Sequence, residues 1–406
     1  MAVEVLRCRV CESEYPPIAS GTCERCFGPL EPSYDWDAVA ANVSRESIQV
    51  GPRSMWRDEQ LLPVAAPANA ATAPGMTPLI PVPRLASALG LGELFAKLET
   101  ANQTHSFKDR VVAVAAAKAR ELGIDTLACS STGNLANAVA SRAASDDFNA
   151  VIFCPAGIEL EKLVATSVYG AKIYAIRGSY DDCSRLTVEL AGEVDWGFVN
   201  VTLRAYYAEG SKTMAFEIAE QLGWEAPDAV VCPVGSGSLL TKLWQGFEQF
   251  GRLGLVDGPS PRIFGGQAEG CAPVARAFAD DRRVSPVRPN TVAHSIAIGN
   301  PADGDLAVAT ARESGGAVHA VAEDDIGELM ALLAEKTGVF GETATGVALG
   351  ALRIAVGRGE LGPDDRVVLC VTGDGLKTPQ QVTELHQPIA IDPDVDVLLS
   401  ELGVSA

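Results

Sequence analysis

Apolar and polar positions follow two rhythms from about residue 94 onward. Short, mostly apolar runs (94–98, 126–130, 151–154, 172–176, 229–232, 262–267 and 366–371) read as strands covered on both faces. Between them, apolar residues recur every three or four positions over 109–121, 134–144, 159–169, 181–193, 211–222, 238–250, 324–337 and 344–356. That period predicts helices, and Gly123 and Gly170 stand where two of them should stop. Alternation of this kind predicts an α/β fold of right-handed βαβ units with mostly parallel sheets. In such sheets ligands bind where loops leave the C-terminal ends of strands. Those loops are therefore the places to look for chemistry.

The first 36 residues do not share this rhythm. They carry Cys8-x-x-Cys11 and Cys23-x-x-Cys26, with eleven residues between the pairs. Two such knuckles supply four thiolates, the donor set of a structural zinc ribbon. Cys8, Cys11, Cys23 and Cys26 are the candidate metal ligands; a pair of disulfides or idle thiols is the alternative. Four thiolates leave no open position, so bound zinc would be structural. The Ala/Pro-rich stretch 64–75 reads as a linker or surface loop.

Composition narrows the partners. The chain has 406 residues, room for two domains or more, and is 47% hydrophobic. A net charge of -20 argues against nucleic acid or an anionic membrane as partner. No basic-then-apolar leader is visible in residues 1–10 and no apolar run is long enough to span a bilayer, so a cytoplasmic protein is expected. In that setting Cys129, Cys154, Cys183, Cys232, Cys271 and Cys370 should be free thiols, and Cys154, Cys232 and Cys370 end apolar runs as small core residues.

Four strand-end loops carry candidate chemistry. Lys108 follows Phe107 at the start of a predicted helix. The positive end of a helix disfavours a cation, so a lysine there loses its proton more readily, and a neutral amine can form a Schiff base. Pyridoxal phosphate (PLP) enzymes use that chemistry. Ser130-Ser131-Thr132-Gly133-Asn134 offers hydroxyls and a helix N-terminus to a carboxylate or phosphate. Gly235-Ser236-Gly237-Ser238-Leu239 lets the backbone close around a phosphate. It is not a dinucleotide fingerprint, because Leu240 stands where the third glycine belongs. Thr372, in Thr372-Gly373-Asp374-Gly375, offers a hydroxyl to a ring nitrogen. Each loop alone reads equally as a cap or a turn; together they outline a cofactor cradle.

In this order, together with Glu209-Gly210-Ser211-Lys212-Thr213 and Ala297-Ile298-Gly299-Asn300-Pro301, the stretches around Lys108, Asn134 and Thr372 resemble the threonine synthases of the fold-type II PLP family. The resemblance runs from the N-terminal ribbon to near residue 380. It implies a ribbon at 1–36, a large PLP-binding domain from 37–109 and 206–406, and a small mobile domain at 110–205. Lys108 would hold PLP covalently and shuttle protons, with Phe107 packed near the ring and Asn134 on its phenolic oxygen. Gly235, Ser236, Gly237, Ser238 and Leu239 would wrap the cofactor phosphate, and Thr372 would face the pyridine nitrogen. Ser131 and Thr132 would hold the substrate carboxylate. A homodimer acting on a small phosphorylated amino acid is also implied.

Some positions depart from the family's pattern. Gln103 and His105 stand where Pro and Gly are common, and Asp374 where His or Asn is. Tyr207 occupies the place of an arginine that binds the substrate phosphate, which leaves Arg204 and Lys212 as candidates for that task. The activity implied is conversion of O-phospho-L-homoserine and water to L-threonine and phosphate. The alternatives are PLP-dependent β-replacement on a phosphoserine-like substrate, as in cysteate synthase, and threonine dehydration.

Overall fold

The computed structural model describes residues 3–403 except 71, 72, 132, 157–159, 179, 384, 386 and 387. Its strands are β1 (Val3–Cys8), β2 (Glu14–Tyr15), β3 (Leu30–Tyr34), β4 (Leu79–Pro81), β5 (Glu93–Leu98), β6 (Thr126–Ser130), β7 (Asn149–Pro155), β8 (Lys172–Ile176), β9 (Gly197–Phe198), β10 (Ala229–Pro233), β11 (Arg262–Ala268), β12 (Val318–Val321) and β13 (Arg366–Val371). They form three sheets of order β2-β1-β3, β12-β11-β10-β13-β5-β4 and β8-β7-β6-β9. The ribbon sheet is antiparallel. In the six-stranded sheet only the edge pair β4–β5 is antiparallel, and Pro81 is tolerated at that edge. The four-stranded sheet is parallel throughout.

The continuous apolar strands have the expected cause. On β10, Val230 and Cys232 pack in one cluster with the helices Thr213–Gln221 and Ser238–Arg252. Ala229 and Val231 pack in the other, against the helices Asp325–Thr337 and Thr343–Gly357. β10 thus buries both faces, which removes any period-two signal. Cys154, Cys232 and Cys370 are buried and free. Burial pushes the Cys232 thiol up to about 12, so it behaves as a small apolar residue.

The ribbon is not an appendage. Its Leu6, Cys8, Cys23 and Leu30 share one apolar cluster with Val111–Ala116 and with Leu203, Tyr206 and Tyr207. Tyr206 Oη donates to the Ile18 carbonyl at 3.0 Å. A Cβ at Gly21 would collide with the Val201 carbonyl, so the ribbon presses directly on the segment before Tyr207. The described residues of the 64–75 stretch pack as a surface loop rather than a free linker: Val64 is buried and the Pro74 carbonyl accepts the Met55 N–H at 2.8 Å. Among the described residues no helix is long and apolar enough to cross a membrane.

Candidate active site

The loop leaving β5 is fixed before it reaches Lys108. Buried Asn102 donates to the Ser106 carbonyl at 3.2 Å and to Glu99 Oε2 at 2.8 Å, and its Oδ1 accepts the Gly75 N–H at 3.0 Å. His105 has φ +58, a left-handed turn that aims the next residues back at β13. There Ser106 bridges Gly373, the Phe107 N–H donates to the Thr372 carbonyl at 3.0 Å, and the Asp374 N–H donates to the His105 carbonyl at 3.1 Å. The helix Lys108–Glu121 begins one residue earlier than its apolar period predicts. Its underside is held by Arg110, which is fully buried: Nε meets Glu99 at 2.6 Å and Nη1 meets Glu217 at 2.6 Å. Gly210 permits the close crossing, since a Cβ there would lie 2.6 Å from the Arg110 carbonyl.

Lys108 itself is half-buried. Its Nζ donates to Tyr207 Oη at 2.9 Å and lies 4.5 Å from the centroid of the Phe107 ring. Thr372 is buried at the end of β13. Just beyond it, Gly373 lets Asn134 and Glu342 approach; a Cβ there would collide with the Glu342 carboxylate and sit 3.1 Å from Asn134 Nδ2. Asn134 opens the helix Asn134–Asp146 and donates to Glu342 at 2.9 and 3.1 Å. Lys377 Nζ donates to Asn134 Oδ1 and to the Thr104 carbonyl, both at 2.6 Å. Burial pushes the Glu342 carboxyl up, with Lys377 opposing it. Burial likewise pushes the Lys377 ammonium down. The sequence reading named neither Glu342 nor Lys377 as a site residue.

The glycine loop follows β10. Gly237, at φ +93, is the N-cap of the helix Ser238–Arg252, and no side chain caps that helix. A Cβ on Gly237 would sit 2.7 Å from the Asp303 carbonyl oxygen. The helices at Lys108 and Asn134 likewise lack a side-chain cap. At the Lys108 helix the Asp109 and Arg110 N–H groups already donate to the Ser106 and Phe107 carbonyls, so the helix N-termini opened by Asn134 and Ser238 are the ones placed for the usual anion-binding role. The Ser236 carbonyl accepts the Asp303 N–H at 2.9 Å, and Asp303 Oδ1 meets Arg204 at 2.5 Å. Arg204 opens the short helix Arg204–Glu209, which also carries Tyr207, so this chain of contacts returns to Lys108. The Leu239 side chain lies in the core. Ser131 sits at the end of β6 with its N–H on the Phe153 carbonyl at 3.1 Å. Thr132 lies outside the described residues.

Lys212 does not take the substrate-binding place expected of it. Its side chain is fully buried, with Nζ 2.5 Å from Glu209 Oε2 and 3.0 Å from Tyr34 Oη. Lys242 joins the same Glu209 at 2.5 Å and Glu31 at 2.9 Å. Burial lowers the Lys212 ammonium to about 8. Burial alone would raise the Glu209 carboxyl, but Lys212 and Lys242 outweigh it and hold it at about 2. An ammonium so enclosed presents nothing to a ligand; it ties β3 of the ribbon to the helix that carries Tyr207.

The four ribbon cysteines converge, with all four sulfurs within 4.8 Å of one another. Cys8 and Cys26 are 3.4 Å apart and Cys11 and Cys23 3.5 Å. Tetrahedral zinc at about 2.3 Å from each thiolate sets sulfurs about 3.8 Å apart, so a small expansion accommodates it.

A family model described as pyridoxal-phosphate dependent enzyme matches residues 70–373. Threonine synthase of Methanocaldococcus jannaschii is 36% identical over 382 residues, 93% of this chain and 94% of that protein. Threonine synthase of Methanosarcina acetivorans is 36% identical over 97% of each chain. Among solved structures, the processed form of threonine deaminase isoform 2 from Solanum lycopersicum superposes with a TM-score of 0.65 at 21% identity, covering 76% of this chain and 82% of that one. Diaminopropionate ammonia lyase from Escherichia coli gives 0.65 at 20%, covering 86% and 94%. These two likenesses concern the fold.

Proposed function

Because this chain belongs to the family of pyridoxal-phosphate-dependent enzymes and is a homologue of the threonine synthases, we propose that it converts O-phospho-L-homoserine and water to L-threonine and phosphate. One observation carries the reading. The Lys108 amine stands half-buried against the Phe107 ring and Tyr207 Oη, and its charge acts on the buried Glu342 that receives Asn134. The donor set suits PLP: an amine for its aldehyde, a helix N-terminus for its phosphate, a buried hydroxyl at Thr372 and an amide at Asn134. Bound there, PLP supplies an electron sink for carbanions formed on the substrate.

The chain's own residues do the rest. The Lys108 amine takes the proton from the substrate's Cα, gives it up again, and then takes one from Cβ, one mobile base serving both carbons in turn. Ser131 and the N–H groups that open the helix Asn134–Asp146 hold the substrate carboxylate. A guanidinium carries five donors and Asp303 engages one nitrogen, so Arg204 is the cation offered to the substrate phosphate. Movement of the segment 110–205 toward the six-stranded sheet excludes water from the reacting carbons. Zinc in the four-cysteine cluster, a homodimer and a cytoplasmic location belong to the same reading.

The test is direct. Purified protein supplied with PLP should release phosphate from O-phospho-L-homoserine and form threonine. Lys108→Ala should lose the borohydride-reducible PLP adduct. Absence of both products from the wild type would sink the assignment, and 2-oxobutyrate formed from threonine would favour the dehydratase alternative.

A further inference from the structure

Tyr207 Oη is the polar side-chain partner of the Lys108 amine, at 2.9 Å, and its ring centroid lies 5.5 Å from Nζ. The tyrosine is not a loose surface group, since it is only 8% exposed and packs in the cluster shared by the ribbon and the Lys108–Glu121 helix. The six-residue helix that carries it is pinned along its length. Arg204 binds Asp303, Tyr206 binds the Ile18 carbonyl, and Glu209 receives Tyr34 Oη at 2.6 Å along with Lys212 and Lys242. Three separate elements thus fix where the phenol points.

The chemistry of that partner matters. A phenol accepts from an ammonium and donates to a neutral amine. A carboxylate could only accept and a guanidinium only donate. A phenol can therefore hold Nζ before and after it takes a proton. We propose that Tyr207 is a positioning residue for Lys108, tethering the amine in both protonation states so that, once free of the cofactor, it stays within reach of the substrate carbons. This rests on the reading of Lys108 as the cofactor lysine.

The test is Tyr207→Phe in the full chain, which removes one oxygen and keeps the ring. In cofactor-free protein, an amine-reactive acylating reagent followed by mass spectrometry measures how fast Lys108 is modified relative to exposed Lys172. Loss of a hydrogen bond of about 1 kcal/mol should speed Lys108 about fivefold and leave Lys172 unchanged. In the PLP-loaded protein kcat should fall roughly a hundredfold with little change in KM, because the substrate still binds but the base is misplaced. The reducible PLP adduct on Lys108 should persist. An unchanged kcat overturns the positioning role, whatever the labelling shows, and so does an unchanged labelling ratio. If the wild type forms no reducible adduct on Lys108, it is the cofactor reading that fails. The labelling ratio alone then decides whether Tyr207 holds the amine.

Discussion

Replacing Arg110 with Met should unfold the floor beneath Lys108. Arg110 is fully buried between Glu99 and Glu217, and of these two carboxylates Lys97 pairs with Glu217, at 2.7 Å, while also donating to the Thr77 carbonyl and Gln221. Burial alone would raise the Glu217 carboxyl, but Arg110 and Lys97 outweigh it and hold it at about 2, from an ordinary 4.5. A carboxyl held that far below its ordinary value corresponds to about 3 kcal/mol. Breaking a buried pair from one side independently suggests about 3–5 kcal/mol, because the abandoned carboxylates stay buried. Both figures place the loss for Arg110→Met at about 3–5 kcal/mol near neutral pH. The folded value lies below the unfolded one, so this stabilisation is complete above about pH 5 and is lost as pH falls toward 2. About three-quarters of it remains at pH 4 and about two-fifths at pH 3. Urea unfolding followed by fluorescence at pH 7 and pH 4 should therefore show a gap between wild type and variant that narrows by about 1 kcal/mol on acidification. Adding Glu217→Gln to the variant should restore part of the loss, since one stranded charge is removed. A variant within about 1 kcal/mol of wild type at pH 7, or a gap that widens at pH 4, would refute the reasoning.

Two further outcomes follow from the site and the ribbon. Gly373→Ala drives a methyl into the Glu342 carboxylate and against Asn134, so PLP uptake, read by absorbance of the bound cofactor, should be lost or fall at least about tenfold; normal loading would show that this corner can relax. Cys8→Ser should abolish bound zinc in elemental analysis and lower the melting temperature, because Cys8 lies in the apolar cluster shared with the Lys108–Glu121 helix; a variant that keeps its zinc would remove Cys8 from the ligand set.

What could be read from the chain tracks how local each cause is. Strands β5, β6, β7, β8, β10, β11 and β13 were legible because most are apolar runs bounded by helices of clear period. β9 has two residues, β4 has three and ends in proline, and β12 has His319 in the middle, so none carries a pattern long enough to see. The helix Arg204–Glu209 is equally short, and it brings Tyr207 to Lys108. Lys108, Asn134, the glycine loop and Thr372 were visible because glycines and hydroxyls at strand ends announce themselves. Glu342 was not, since a glutamate before a helix reads as an ordinary cap. Lys377 has its partner Asn134 243 positions away, a pairing only the assembled sheets create. Lys212 misled because a lysine beside a Gly-Ser turn looks like an anion ligand. Its real partner, Glu209, was three residues back, the spacing at which helical side chains meet.

The misplacement of Lys212 bears on how an acidic chain can bind an anionic substrate. Lys+Arg number 32 against 52 Asp+Glu. Near the site, four of those cations are buried and committed: Lys97 and Arg110 to Glu217, Lys212 and Lys242 to Glu209. They anchor the helix that begins with Lys108 and the helix that carries Tyr207, so positive charge is used to place the base rather than to attract the substrate. Lys377 is half spent on a carbonyl and an amide. Arg204 is already facing Asp303. Under the proposed function, anion binding then draws on backbone N–H groups where the helices Asn134–Asp146 and Ser238–Arg252 begin, whose partial charges are fixed by the fold. Under the proposed function, exchanging Arg204 for Gln should weaken substrate binding far less than distorting the Gly235–Leu239 turn weakens cofactor binding. That ordering is the reverse of what a site built on side-chain cations would give.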